Sequence, residues 1–235
     1  MNPPVIFRRL PLTDTPNARD LGGYATRDGG ITRWNVFLRS ACPNKLTESD
    51  VELLKRIGVT AVVDLRGGGN EDELLTGYTQ ARAFRCYNFP VGGGNPPAKI
   101  TECGRSYLEI ADNPNMYRVF AALADNQGAT VFHCFAGKDR TGIVASILLM
   151  LAGVADVDII ADYTQSYAYF LERIRADFDR TDAERDVFIP HPEHIESFMR
   201  LFRAKYGDAQ NYLLRMGLTQ TQINCIIGKF VEFNQ

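Results

Sequence analysis

With 235 residues, 45% of them hydrophobic, the chain can bury one good core and gives no sign of a second domain. Its 26 basic and 28 acidic side chains leave a formal net charge of −2, which gives no reason to expect nucleic acid as a partner. Five cysteines (Cys42, Cys86, Cys103, Cys134 and Cys225) show no C-x-x-C spacing, so neither a disulfide framework nor a zinc site is indicated and a reducing compartment is expected. The stretch from Met1 to Arg9 lacks the apolar core of a signal peptide, and no apolar run is long enough for a membrane span. The expectation is a cytoplasmic protein with no stable membrane insertion.

In chain order, Pro11 to Gly30 is rich in turn formers and is expected to pack across a sheet, with Arg19 and Asp20 as oppositely charged neighbours. Thr47 is a candidate N-cap for a helix whose apolar face is Val51, Leu53, Leu54 and Ile57 and whose end is Gly58. A strand from Val59 to Leu65 follows directly and carries Asp64 near its end. Another strand is expected over Ala83 to Val91, and a helix over Arg105 to Asn126, interrupted at Pro114. The glycine triplets Gly67 to Gly69 and Gly92 to Gly94 fall just after two of these strands and read as loops. Alternation of strand and helix predicts an α/β fold with a mostly parallel central sheet flanked by helices.

The densest chemistry lies next. Ala129 to Phe132 reads as a short buried strand and Ile143 to Leu151 as an apolar helix; between them stands His133-Cys134-Phe135-Ala136-Gly137-Lys138-Asp139-Arg140-Thr141-Gly142. A helix N-terminus presents unpaired N–H groups and partial positive charge, so a loop wrapped before it attracts a phosphate dianion. It favours a thiolate for the same reason. Cys134 is the candidate nucleophile, and the backbone from Phe135 through Ala136, Gly137, Lys138 and Asp139 to Arg140 is the candidate phosphate cradle. The planar fork of Arg140 can hold two phosphoryl oxygens at once, whereas Lys138 reads as a point charge at the loop's rim. Thr141 stands where its hydroxyl could bond the Cys134 sulfur. A nucleotide P-loop is excluded, because Gly137-Lys138 is followed by Asp139 in place of Ser or Thr, and Phe132 occupies the position of the first glycine.

Beyond Gly153 a mostly helical third begins at Asp156. Ile159, Ile160, Tyr163, Tyr167, Phe170, Leu171 and Ile174 recur at helical spacing, and Arg180 to Arg185 reads as a solvated connector. His191 and His194 have H-x-x-H spacing, but with no third ligand near in sequence no metal is expected. The last helices are expected over His194 to Tyr206, Ala209 to Met216 and Thr219 to Phe233.

The string His133 to Gly142 resembles the H-C-x-x-G-K-D-R-T-G signature of bacterial cysteine-dependent phosphatases similar to mycobacterial protein tyrosine phosphatase B. Asn17 to Tyr24, Phe37 to Ser40, Val62 to Arg66 and Ala161 to Tyr163 look like further segments of that family, in its order. The resemblance implies a tyrosine-phosphatase-like fold over one domain, residues 1–235, with 155–216 as a candidate helical lid or insertion. It implies Cys134 as the nucleophile of a cysteinyl-phosphate intermediate, Arg140 as the phosphate clamp, His133 and Thr141 as supports, and Arg19 and Asp20 as residues near the site. Substrates in this family are phosphotyrosine, phosphoserine or phosphothreonine proteins and phosphoinositides; some members are exported without an obvious signal. No cofactor or metal is implied.

The general acid stays open at this point. The single tryptophan, Trp34, is not part of a Trp-Pro-Asp loop, so the acid must come from elsewhere. Asp139 leads, because the family's loop aspartate is proposed to protonate the leaving oxygen; Asp64 is second, at the strand edge where open α/β sheets bind ligands. A silent phosphate-binding module and a rhodanese-like sulfur transferase are the alternatives, and nothing in the sequence sets an oligomeric state.

Overall fold

The computed structural model describes residues 6–67, 75–92, 102–169 and 189–233. Its main sheet is built from β1 (Arg19–Asp20), β3 (Phe37–Ser40), β4 (Val59–Asp64), β5 (Arg85–Asn88) and β6 (Ala129–His133), in the spatial order β1-β3-β6-β4-β5. All neighbours are parallel except β1, which runs antiparallel to β3 at the sheet's edge. Within the Pro11 to Gly30 segment, Arg19 and Asp20 form this edge strand. Every residue of β3 and β6 is buried, the pattern of parallel strands covered on both sides.

Helix α1 (Glu48–Ile57) starts at Thr47, which forms a reciprocal capping box with Asp50, and stops at Gly58 with φ 92°. Its Leu53, Leu54 and Ile57 close one face of the sheet over Leu38, Val62 and Val131. A short helix α2 (Gly77–Ala81) precedes β5, which is briefer than the stretch Ala83 to Val91 suggests. Pro114 separates α3 (Cys103–Ala111) from α4 (Met116–Asp125), as its missing N–H and ring require.

The central helix α5 (Asp139–Leu151) leaves β6 through the signature loop. It buries nine consecutive residues, Thr141 to Leu149, and so has no wet face. Helices α3, α6 (Asp156–Thr164) and α8 (Ala209–Met216) surround it, while α7 (Pro192–Tyr206) packs on α3 and α6. The described helices of the region 155–216 thus bury Ile159, Tyr163, Ile195, Phe198, Phe202 and Tyr212 in the main core. Phe170, Leu171, Ile174 and the connector Arg180 to Arg185 lie outside the described residues.

Helix α9 (Gln220–Phe230) ends three residues earlier than the expected Phe233. Val231–Phe233 instead forms strand β7, antiparallel to β2 (Gly30–Thr32). β-Branched and aromatic side chains at 231 and 233 suit this pleat, and a free partner strand outweighs one more helical turn. No helix of the described residues is long and apolar enough to cross a membrane.

Candidate active site

Cys134 follows the last residue of β6 and is 3% exposed at the floor of the loop that leads into α5. The loop's carbonyls are pulled outward. Phe135 O accepts from the Cys42 backbone N–H at 3.0 Å, and Ala136 O and Gly137 O accept from Asn17 Nδ2 at 3.1 and 2.9 Å. Arg39 Nη2 donates to Gly137 O as well, at 2.8 Å. A trans peptide sends its N–H opposite to its C=O, so the N–H groups of Ala136, Gly137 and Lys138 turn the other way, into the loop. With the first-turn N–H groups of α5 they form a concave set of donors suited to a phosphate.

This shape is enforced from behind. Asn17 adopts φ 59°, a left-handed conformation that asparagine tolerates, and its amide nitrogen also donates to Ser166 Oγ at 3.2 Å. Arg19 Nη1 donates to the Asn17 side-chain oxygen, fixing which end of the amide faces the loop. Arg19 and Arg39 share one carboxylate. Arg19 Nε lies 2.9 Å from Asp162 Oδ1, and Arg39 Nη1 2.5 Å from Asp162 Oδ2, with all three side chains buried. Burial opposes a charged Asp162, but the two guanidiniums and their hydrogen bonds prevail and hold its carboxyl down to about 2. For Arg39, burial and the neighbouring Arg19 bring the guanidinium down to about 10, still charged at neutral pH.

Gly137 shows what this close packing demands. Its φ is +68°, and a Cβ there would lie 2.4 Å from Ser40 O and 2.6 Å from the Ala41 nitrogen. Gly137→Ala should therefore displace the loop, costing about 1–3 kcal/mol of stability and at least about tenfold in kcat/KM. Thermal unfolding and steady-state kinetics on the one variant check both; wild-type kinetics would show that the loop's contact with β3 is dispensable.

The structure brings most of the expected residues together around this loop. Arg140 Nη1 donates to Leu65 O at 3.3 Å, which places its guanidinium at the end of β4. Asp64, the last residue of β4, lies opposite His133 in the sheet register. Both of its oxygens are taken by Arg66, with Nε at 3.0 and 3.1 Å and Nη2 at 2.8 Å from Oδ2, and Oδ1 also accepts the Arg66 backbone N–H at 2.9 Å. Arg19, the other arginine expected near the site, is committed to Asp162.

His133 is buried, and burial lowers its pKa; its Nδ1 lies 3.3 Å from Cys134 O and 3.7 Å from Asp64 Oδ1. Thr141 Oγ1 is buried and makes no hydrogen bond among the described residues, the sulfur of Cys134 included. Lys138 is not at the rim: its side chain is 5% exposed, and its ammonium lies 3.2 Å from Asp139 Oδ1. The same oxygen accepts the Tyr107 hydroxyl.

Asp20 points away from the loop. Its oxygens accept the Gly22 and Asn35 backbone N–H groups at 2.7 and 2.8 Å, and burial pushes its carboxyl up to about 6 against those bonds. Adjacent in sequence, Arg19 and Asp20 alternate to opposite sides of an extended strand and form no pair.

Asn17, Arg39, Asp162 and Tyr107 received no role from the sequence. The first three lie within segments that carry the family resemblance, which is the only signal that could have found them. Among the described residues no three His, Cys, Asp or Glu side chains come together as a metal-binding group. Cys42, whose backbone anchors Phe135, has its thiol pushed up to about 11 by burial.

Comparison with known proteins bears on this geometry. A model of the tyrosine phosphatase family matches residues 10–232. A protein of Cupriavidus necator named as a tyrosine-protein phosphatase is 31% identical, over 84% of this chain and 80% of its own. The triple specificity protein phosphatase PtpB of Mycobacterium tuberculosis is 29% identical, over 90% of this chain and 95% of its own. Among solved structures, that of TpbA from Pseudomonas aeruginosa overlaps 84% of this chain and 96% of its own, with a TM-score of 0.40 and 17% identity. The match to the family model spans the donor loop, the buried brace behind it and every strand of the main sheet, and the chain belongs to the tyrosine phosphatase family as a phosphatase, a hydrolase of phosphate esters.

Proposed function

We propose that this phosphatase works through a cysteinyl-phosphate intermediate on Cys134. The observation that carries the reading is the loop itself: a buried thiol beneath backbone N–H groups turned inward because Cys42, Asn17 and Arg39 draw the carbonyls out. Donors fixed before the substrate arrives need no reorganisation as charge builds on the equatorial phosphoryl oxygens. Cys134 attacks phosphorus, the ester P–O bond breaks, and the leaving oxygen takes a proton from an aspartate. Water then attacks the phosphoenzyme and releases inorganic phosphate and the thiolate. Arg140 clamps the phosphoryl oxygens, and the buried hydroxyl of Thr141 is assigned to the sulfur as it leaves.

Asp139 is the aspartate we assign. It stands at the first position of α5 with about a third of its side chain exposed (33%), and its Oδ2 makes no hydrogen bond among the described residues. Both oxygens of Asp64 are occupied by Arg66, so we assign it to holding Arg66 and the end of β4 in place. Lys138 supplies positive charge close beneath the cradle.

The substrates we infer are phosphotyrosine proteins, with phosphoserine, phosphothreonine and phosphoinositide esters as further candidates. The triple specificity in the name of the mycobacterial relative supports breadth. Phosphate release measured in EDTA from a phosphotyrosine peptide and from soluble inositol phosphates, with rapid quenching to trap phosphate on Cys134, tests the whole reading. Trapped label on Cys134 is the expected result. Binding of phosphate esters without release from any of them would leave a silent binding module, and persulfide formation with thiosulfate would favour sulfur transfer.

A further inference from the structure

Asp139 does not stand alone at the loop. Its Oδ1 accepts the hydroxyl of Tyr107, from α3. The Tyr107 oxygen lies 2.6 Å from the Tyr163 hydroxyl, from α6, and the Tyr163 oxygen lies 3.5 Å from Nδ1 of His194, from α7. The two tyrosine rings meet edge to face with centroids 6.1 Å apart, and Tyr107 meets the His194 ring edge-on at 6.4 Å. All three side chains are buried, at 3%, 0% and 1% exposure. Three helices thus each contribute one polar tip to a chain that ends on the loop carboxylate.

We infer that Tyr107, backed by Tyr163 and His194, is a positioning residue that holds Asp139 by Oδ1 and thereby makes Oδ2 the oxygen that carries and delivers the proton. This rests on the assignment of Asp139 as the general acid. The direction of the chain follows from the chemistry of its members. Burial raises the pKa of both tyrosines well above the ordinary value, so each remains a donor across the working range. Burial, helped by Lys138 and His191, brings His194 down to about 4, so at neutral pH it is a neutral ring with one N–H. Protons can then run in one sense only if every oxygen is to be satisfied: His194 Nδ1–H to Tyr163, Tyr163 to Tyr107, Tyr107 to Asp139 Oδ1. Such a chain polarises along its length toward the carboxylate.

A carboxylic acid that already accepts at Oδ1 binds its own proton at Oδ2. In the first step that proton moves to the leaving oxygen as the P–O bond breaks, and Asp139 becomes a carboxylate. In the second step the same Oδ2 takes the proton of the attacking water, which restores the acid. Without the tyrosine, Oδ1 keeps only the Lys138 ammonium, the carboxyl is held less firmly about its soft, nearly two-fold terminal torsion, and the proton is less confined to Oδ2.

The test is a series of aryl phosphates read as kcat/KM, which reports the steps through phosphoenzyme formation. Phenyl phosphate expels a phenol of pKa about 10 and needs the proton, whereas a dinitrophenyl ester expels a stable phenolate and does not. Tyr107→Phe should lower kcat/KM for phenyl phosphate about tenfold and leave the dinitrophenyl ester within about twofold, with Tyr163→Phe showing the same selectivity at smaller size. Asp139→Ala should be selective in the same direction and larger. Equal losses on both esters in Tyr107→Phe, or none on either, overturn the positioning role while a selective Asp139→Ala keeps the acid. Equal losses in Asp139→Ala remove the acid assignment, and the positioning role falls with it. Tyr163→Phe keeps the question answerable should Tyr107→Phe fold poorly.

Discussion

Cys134→Ser is expected to stop phosphate release, by on the order of 10⁴-fold or more, while phosphate esters still bind. The two halves of this expectation come from different parts of the loop. Turnover needs a sulfur that can attack phosphorus and later leave it; a serine hydroxyl ionises far less readily and is a poorer leaving group. Binding needs the inward N–H groups and Arg140, and the shape of the loop is held through its carbonyls by Asn17, Arg39 and Cys42. Phosphate release in EDTA gives the first quantity and calorimetric titration with a phosphotyrosine peptide the second. Serine enzyme that still turns over at a tenth of the wild-type rate would remove Cys134 from the chemistry. Lost binding together with lost turnover would mean that the thiol helps to shape the cradle.

The second large effect lies where no substrate reaches. Asp162→Ala leaves Arg19 and Arg39 as two buried guanidiniums with no carboxylate between them. Breaking a buried ion pair from one side costs about 3–5 kcal/mol, much of a domain's total stability. Activity should fall further than stability alone dictates, because Arg39 reaches from Asp162 to Gly137 O and the released guanidinium no longer draws that carbonyl outward. Chemical denaturation, with kinetics measured well below the unfolding midpoint, separates the two effects. The same carboxylate predicts acid lability with a definite sign. Its folded pKa is depressed to about 2 from 3.8, so its contribution is complete above about pH 4 and disappears as the pH falls through 2. An Asp162→Ala protein as stable as wild type would show that the guanidiniums find other partners.

Local sequence carried much of the architecture. The helix from Glu48 was readable because Thr47 and Gly58 are residues whose capping chemistry acts within a few positions of the helix ends. The loop was readable for a similar reason: a thiol, a glycine and an arginine between an apolar strand and an apolar helix form a contiguous pattern. What was not readable depends on contacts across the fold. Lys138 looked like a rim charge because one residue of spacing cannot tell the inside of a loop from its edge. Asp20 was expected near the site beside Arg19, but the strand's alternation sends Arg19 to Asp162 and Asp20 to Gly22 and Asn35. Tyr107 gave no signal, since a tyrosine on a helix's buried face looks like core until its hydroxyl is seen on Asp139. The strand at Val231 was hidden because its partner lies two hundred residues away, at Gly30–Thr32.

The brace behind the loop also bears on how the protein acquires its activity. The contacts that hold the loop open join Gly137 to Asn17 across 120 residues and to Arg39 across 98, and Arg19 to Asp162 across 143. Closing such spans is entropically expensive and slow compared with forming a helix. A nascent chain that has just completed the signature string therefore has the sequence of a phosphate cradle without its shape. Catalytic competence arrives only when the earliest and the later segments of the chain have met, so during refolding activity should return with the last cooperative phase and not with the helical signal.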